Sequence, residues 1–165
     1  MAPCVIDQQE DGLDPIVLAL RKNLTSETTP LARRFRALFS LKHLACLKPT
    51  TDQTLPAIQA IAAAFTSPSA LLKHELAYCL GQTKNLDAVP FLRQVLEDHK
   101  EDAMCRHEAA EALGALGDVG SLEILRNMRD DVSEVQVVRE TCEIAVDRIL
   151  WEMSGRHKTE NLRQR

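Results

Sequence analysis

The sequence predicts an all-α protein, an α-solenoid of about four helix pairs, and three observations carry that prediction. Aromatic residues make up 4% of the chain, Ala and Leu are abundant, and runs of β-branched residues are few. That composition favours helix over sheet. Four segments can also be laid over one another: Arg34-FRALFSL, Lys73-HELAYCL, Arg106-HEAAEAL and Arg139-ETCEIAV. A recurring unit of about 33 residues with helical apolar spacing marks helix pairs that bury one face against the next pair. The third observation is punctuation, because capping side chains, prolines and glycines fall between the segments where helix pairs need starts and stops.

Taken in order, Asp14-Pro15 opens a helix near 15–23, since a capping carboxylate followed by a residue of fixed φ suits a first turn. Thr29-Pro30 opens one near 30–46 in the same way. The first spacing between segments is longer than the other two, and the excess falls in or near a loop at Lys48-PTTDQ. A helix follows near 55–65, and Ser67-Pro68 opens another near 69–81 with Gly81 as its stop. Asn85-Leu-Asp87 caps a helix near 87–98 that carries Pro90 early. Further helices are expected near 103–116, ending at Gly117, near 121–127 after a turn at Gly120, and near 133–152. The expected organisation is an N-terminal segment 1–14, a repeat domain 15–153 and a polar tail 154–165 without an apolar face.

Composition excludes several classes. Apolar residues at 45% and mixed charges at 27% fit a folded chain rather than a disordered or collagen-like one. No apolar run reaches the roughly 18 residues that span a bilayer, and no signal segment opens the chain, so a cytoplasmic protein without membrane contact is expected. The net charge of −4 offers no broad footprint for nucleic-acid phosphate and suits a cationic partner. The five cysteines are odd in number and form no CxxC, which indicates neither a disulfide framework nor a thiolate zinc site. Cys79 and Cys142 read as small buried apolar residues.

The chemistry sits in a His-Glu dyad, His74-Glu75, that recurs as His107-Glu108 at the same phase of the repeat. Leu72, Leu76, Cys79 and Leu80 form the apolar stripe of one helix; Ala109, Ala112, Leu113 and Leu116 form that of the other. Both histidines fall opposite their stripe, with both glutamates about a quarter turn from it. A single histidine there is an ordinary polar surface residue. Two equivalent dyads on neighbouring second helices face the same space, so His74, Glu75, His107 and Glu108 are all expected to converge there as candidate metal ligands. Two imidazoles plus carboxylate, with positions left open, are the ligand set of non-haem Fe(II). Phe35 and Glu140 occupy the histidine phase in the outer units, which therefore read as packing caps. Lys73 and Arg106 are expected to pair with neighbouring acids, Glu111 to be a solvated or outer acceptor, and His43, His99 and His157 to be exposed. Cys105 and His107, two apart on a helix, diverge and do not make a nucleophilic pair.

At these residues the chain resembles the deoxyhypusine hydroxylase family, HEAT-repeat di-iron monooxygenases of eukaryotes. The likeness is carried by Arg34-FRALFSL, Ser69-ALLKHELAYCLGQ, Ala103-MCRHEAAEALGALGD and Val138-RETCEIAV. The resemblance implies HEAT-like repeats, two Fe(2+) per complete active site, and O2-dependent hydroxylation of the aminobutyl arm of deoxyhypusine on the hypusine-bearing translation initiation factor. It implies His74, His107 and Glu108 as iron ligands, with Glu75 at the cationic substrate amine or as an outer ligand. The likeness is to the N-terminal half of the family, which carries four dyads in two halves where this chain carries two. Either the chain is a shortened form or a second copy, or a complementing C-terminal half, completes the site. A non-catalytic HEAT-like binding scaffold stays open as an alternative class, and the repeated histidine is the feature that separates them.

Overall fold

The computed structural model describes residues 14–155. The expectations for the N-terminal segment, for His157 and for most of the tail lie outside those residues. Among the described residues there are eight α-helices and no strand: α1 (Pro15–Thr25), α2 (Leu31–Ala45), α3 (Thr54–Ala62), α4 (Ala70–Gln82), α5 (Val89–Glu97), α6 (Ala103–Leu116), α7 (Leu122–Asp130) and α8 (Gln136–Met153). They pair as α1/α2, α3/α4, α5/α6 and α7/α8. The second helices α2, α4, α6 and α8 pack successively side by side, the arrangement of an α-solenoid. Short 3₁₀ turns extend α3 and lead into α5 and α7.

Helix starts follow local chemistry, with corrections. Asp14 accepts from the Ile16 N–H at 2.8 Å, ahead of Pro15 in the first turn. The start of α2 differs from expectation: Pro30 itself is the cap residue, so Thr29 caps nothing. The start of α4 is shifted as well. Ser69 caps it by accepting from the Leu72 N–H at 3.2 Å, while the Ser67 hydroxyl accepts from Ser69 N–H instead. Asn85 accepts from Asp87 N–H at 2.9 Å and shapes the 3₁₀ turn before α5. Asp102, which carries no proline signal after it, caps α6 through Met104 N–H at 2.8 Å.

The glycines divide by role. Gly117 ends α6 in the left-handed region at φ 70°, the conformation that glycine adopts without a Cβ penalty. Gly81, expected to stop α4, lies inside it. A Cβ there would stand 2.8 Å from that of Ala112 on α6, and one at Gly114 would stand 2.8 Å from that of Ala145 on α8. These two glycines, one repeat apart, let successive second helices approach closely.

The stripes behave as the periodicity requires. Leu72, Leu76, Cys79, Leu80, Ala109, Ala112 and Leu113 are buried in one continuous core, together with Leu24, Leu38, Ile58, Leu92 and Leu125. Truncating one such leucine to alanine costs about 2–5 kcal/mol. Arginines at the start of the second helices fasten each pair. The Nε of Arg34, Arg106 and Arg139 donates to a carbonyl near the end of the preceding first helix, at Leu24, Leu96 and Arg129 respectively.

Candidate metal centre

His74 projects from α4 and His107 from α6, their ring centroids 6.4 Å apart and stacked at 30°. Glu108 of α6 turns back toward α4, placing Oε2 3.2 Å from Nε2 of His74. One ligand atom each from His74, His107 and Glu108 lies within 4.8 Å of the others. Glu75 is outside this group. It stands with Oε1 3.5 Å from Nδ1 of His74, on the other side of the ring from Glu108, and its side chain is 27% exposed against 8% for Glu108.

The difference follows from repeat geometry. The residue after the histidine phase reaches back to the imidazole of the preceding second helix: Glu108 to His74, and Thr141 of α8 to His107. The Thr141 hydroxyl lies 2.7 Å from Nδ1 of His107. Glu75 holds the same phase on α4, but α2 carries Phe35 at the histidine phase, so no imidazole waits for it. Thr141 is a site residue that the motifs did not single out. The available signal was its position, one repeat after Glu108.

Both histidines are half-buried rather than solvated. Burial pushes the His107 pKa down, helped by the neighbouring His74 and opposed by Glu111. Burial raises the Glu108 carboxyl, with Glu111 and Glu75 adding to the rise and His74 opposing it. Among the described residues the Glu108 carboxylate meets no donor besides His74, and a buried charge so thinly paired is costly. A bound cation would relieve that cost. Two imidazoles and one carboxylate are a donor set that suits non-haem Fe(II), so the residues present fit such an ion.

The other residues singled out from sequence fall as follows. Lys73 pairs with Glu101 and Arg106 with Glu134, as expected of each. Glu111, Glu140 and His43 are exposed. His99 is 60% exposed yet lies 3.3 Å from Glu134. Burial pushes the Cys79 and Cys142 thiols up to about 12 and Cys105 to about 11. Cys105 donates to the Ala70 carbonyl at 3.3 Å, which leaves no thiolate to pair with His107.

Fold and site together define a helical-repeat protein carrying a two-histidine, one-carboxylate group between successive second helices. The family profile for HEAT repeats matches residues 57–147, more than half of the chain, and the chain belongs to that family. It is 70% identical over 163 residues to deoxyhypusine hydroxylase of Neosartorya fischeri, covering 99% of this chain and 48% of that protein. The Coccidioides immitis deoxyhypusine hydroxylase is 77% identical over 145 residues, 88% of this chain and 43% of that one. The solved structure of human deoxyhypusine hydroxylase in complex with glycerol matches at TM-score 0.75 and 47% identity, covering 84% of this chain and 45% of that chain. The chain therefore spans about half the length of the curated relatives it matches.

Proposed function

We propose that this chain supplies one side of the iron site of a deoxyhypusine hydroxylase, with residues 15–153 as its repeat domain and 1–14 and 154–165 as flanking segments. The observation that carries the reading is the convergence of His74, His107 and Glu108 within 4.8 Å, in a chain highly similar to enzymes of that name. His74, His107 and Glu108 would hold Fe(II), two ions making a complete active site. Iron bound there supplies the redox centre for O2-dependent hydroxylation of the deoxyhypusine side chain on the hypusine-bearing translation initiation factor.

The chain's own residues do the binding and orienting. Partial burial of His107 favours the neutral imidazole, the form that ligates a metal. Glu75, outside the ligand group and beside Nδ1 of His74, receives the cationic amine of the substrate arm, a charge-assisted hydrogen bond worth about 1.5–3 kcal/mol. No helix among the described residues is long and apolar enough to cross a membrane, and the reading places the protein in the cytoplasm with its substrate. Three ligands serve one ion, so a second half or a second copy of this chain completes the site.

The test is metal analysis of anaerobically purified protein. Wild type should hold Fe(II), and His74→Ala and His107→Ala should each lower its occupancy while leaving the helical CD signal in place. Iron in the wild type no higher than in the double variant would reject the site. A non-catalytic scaffold is the reading that would then remain.

A further inference from the structure

Thr141 has one hydroxyl proton and two partners within reach. Its Oγ1 donates to the carbonyl of Val137, one turn back in α8, at 2.8 Å, a bond that threonine in a helix readily makes. The same oxygen lies 2.7 Å from Nδ1 of His107 on α6. The Val137 carbonyl can only accept, whereas an imidazole nitrogen can donate or accept, so the one arrangement that makes both contacts hydrogen bonds puts the hydroxyl proton on Val137 and the ring hydrogen on Nδ1. A neutral imidazole protonated at Nδ1 keeps its lone pair on Nε2.

From this geometry we infer that Thr141 is a positioning residue, which fixes His107 in the Nδ1–H tautomer and leaves Nε2 as the nitrogen available to a metal held with His74 and Glu108. The inference rests on the metal reading above. It also rests on the repeat: Glu108 and Thr141 hold one phase, and each reaches back to the imidazole of the preceding second helix. At α6 that phase supplies an acid for the ligand group. At α8 it supplies a neutral hydroxyl that orients a ligand without bringing a second buried carboxylate against His107. Partners of this kind on the outer nitrogen of a ligating histidine set ring orientation and basicity, and losing one commonly weakens metal binding roughly 10–100-fold.

The experiment uses the full chain labelled with ¹⁵N-histidine, metal-free and at a pH of about 8, above the ordinary imidazole range. Long-range ¹H–¹⁵N spectra should give His107 the Nδ1–H signature in the wild type. In Thr141→Val, which keeps the side-chain volume, His107 should lose that single tautomer, and Co(II) should bind roughly 10–100-fold more weakly. Thr141→Ser should restore both. A merely structural threonine would move neither the tautomer nor its rescue by serine. An Nε2–H signature in the wild type, or unchanged Co(II) affinity in Thr141→Val, would overturn the inference. Should the valine variant lose its helical signal, the wild-type tautomer and the serine variant still decide. Failure of the wild type to bind Co(II) would strike instead at the metal reading, while the tautomer would still decide whether Thr141 orients the ring.

Discussion

Glu75 and Glu108 follow histidines at one phase of the repeat, yet they meet different surroundings. Glu108 reaches Nε2 of His74 on the preceding second helix, whereas Glu75 stays beside Nδ1 of its own neighbour. On the proposed reading, Glu108→Gln should lose iron, because it would remove the anionic member of the group of three. Glu75→Gln should keep more iron and weaken substrate recognition, since an amide preserves size but removes the charge that a substrate ammonium needs. Iron content and substrate binding measured on both variants check this, and equal iron loss would make Glu75 a direct ligand. The pairing of dyads was legible in the spacing of His74 and His107, which matches the repeat. The unequal roles of their acids were not, because they depend on what the preceding helix presents: His74 before Glu108, Phe35 before Glu75.

At the scale of elements, the buried Arg106–Glu134 pair ties the start of α6 to the turn before α8, and Arg106 also holds the end of α5 through the Leu96 carbonyl. Breaking such a pair from one side leaves an uncompensated buried charge and costs about 3–5 kcal/mol, whereas removing both partners costs less. Arg106→Met should thus be more destabilised in chemical denaturation than Arg106→Met with Glu134→Met. The pair also gives stability a pH dependence. Hydrogen bonds from Arg106 hold the Glu134 carboxyl below the ordinary range, against the opposing effect of burial. Its folded pKa lies below its unfolded one, so its contribution is fully present above about pH 4.3 and fades as pH falls below it. The Arg106→Met variant should show a flatter acid limb than wild type. The Lys73 and Arg106 pairings were anticipated from sequence as pairings with neighbouring acids. The partners Glu101 and Glu134, themselves one repeat apart, became identifiable only when the turns before α6 and α8 were folded over the preceding helices.

For the whole molecule, the close packing of second helices changes character at α8. Gly81 and Gly114 admit the next helix, and the residue at that phase in α8 is the exposed Asp147. The phase that sets Glu108 beside His74 also changes there, to Thr141 beside His107. On the proposed reading, the monomer holds ligands for one ion and should not hydroxylate substrate alone. A C₂ pairing would present the same groups twice, so turnover of the deoxyhypusine-bearing factor should rise with protein concentration or on adding a C-terminal half from a full-length relative. Turnover by a species that sediments as a monomer would refute the divided site. The sequence by itself determined the solenoid, its period, the helix order and the two histidines, because local periodicity and capping are written in residues a few positions apart. It misplaced Gly81 as a stop and Ser67 as a cap, since a glycine near a helix end looks the same whether it breaks the helix or admits a neighbour. Only the tertiary structure decided that Glu108 joins the imidazoles, that Glu75 stands aside and that Thr141 reaches His107. Those relations cross from one helix to the next, and the inter-helix approach that sets them is fixed by packing at Gly81 and Gly114.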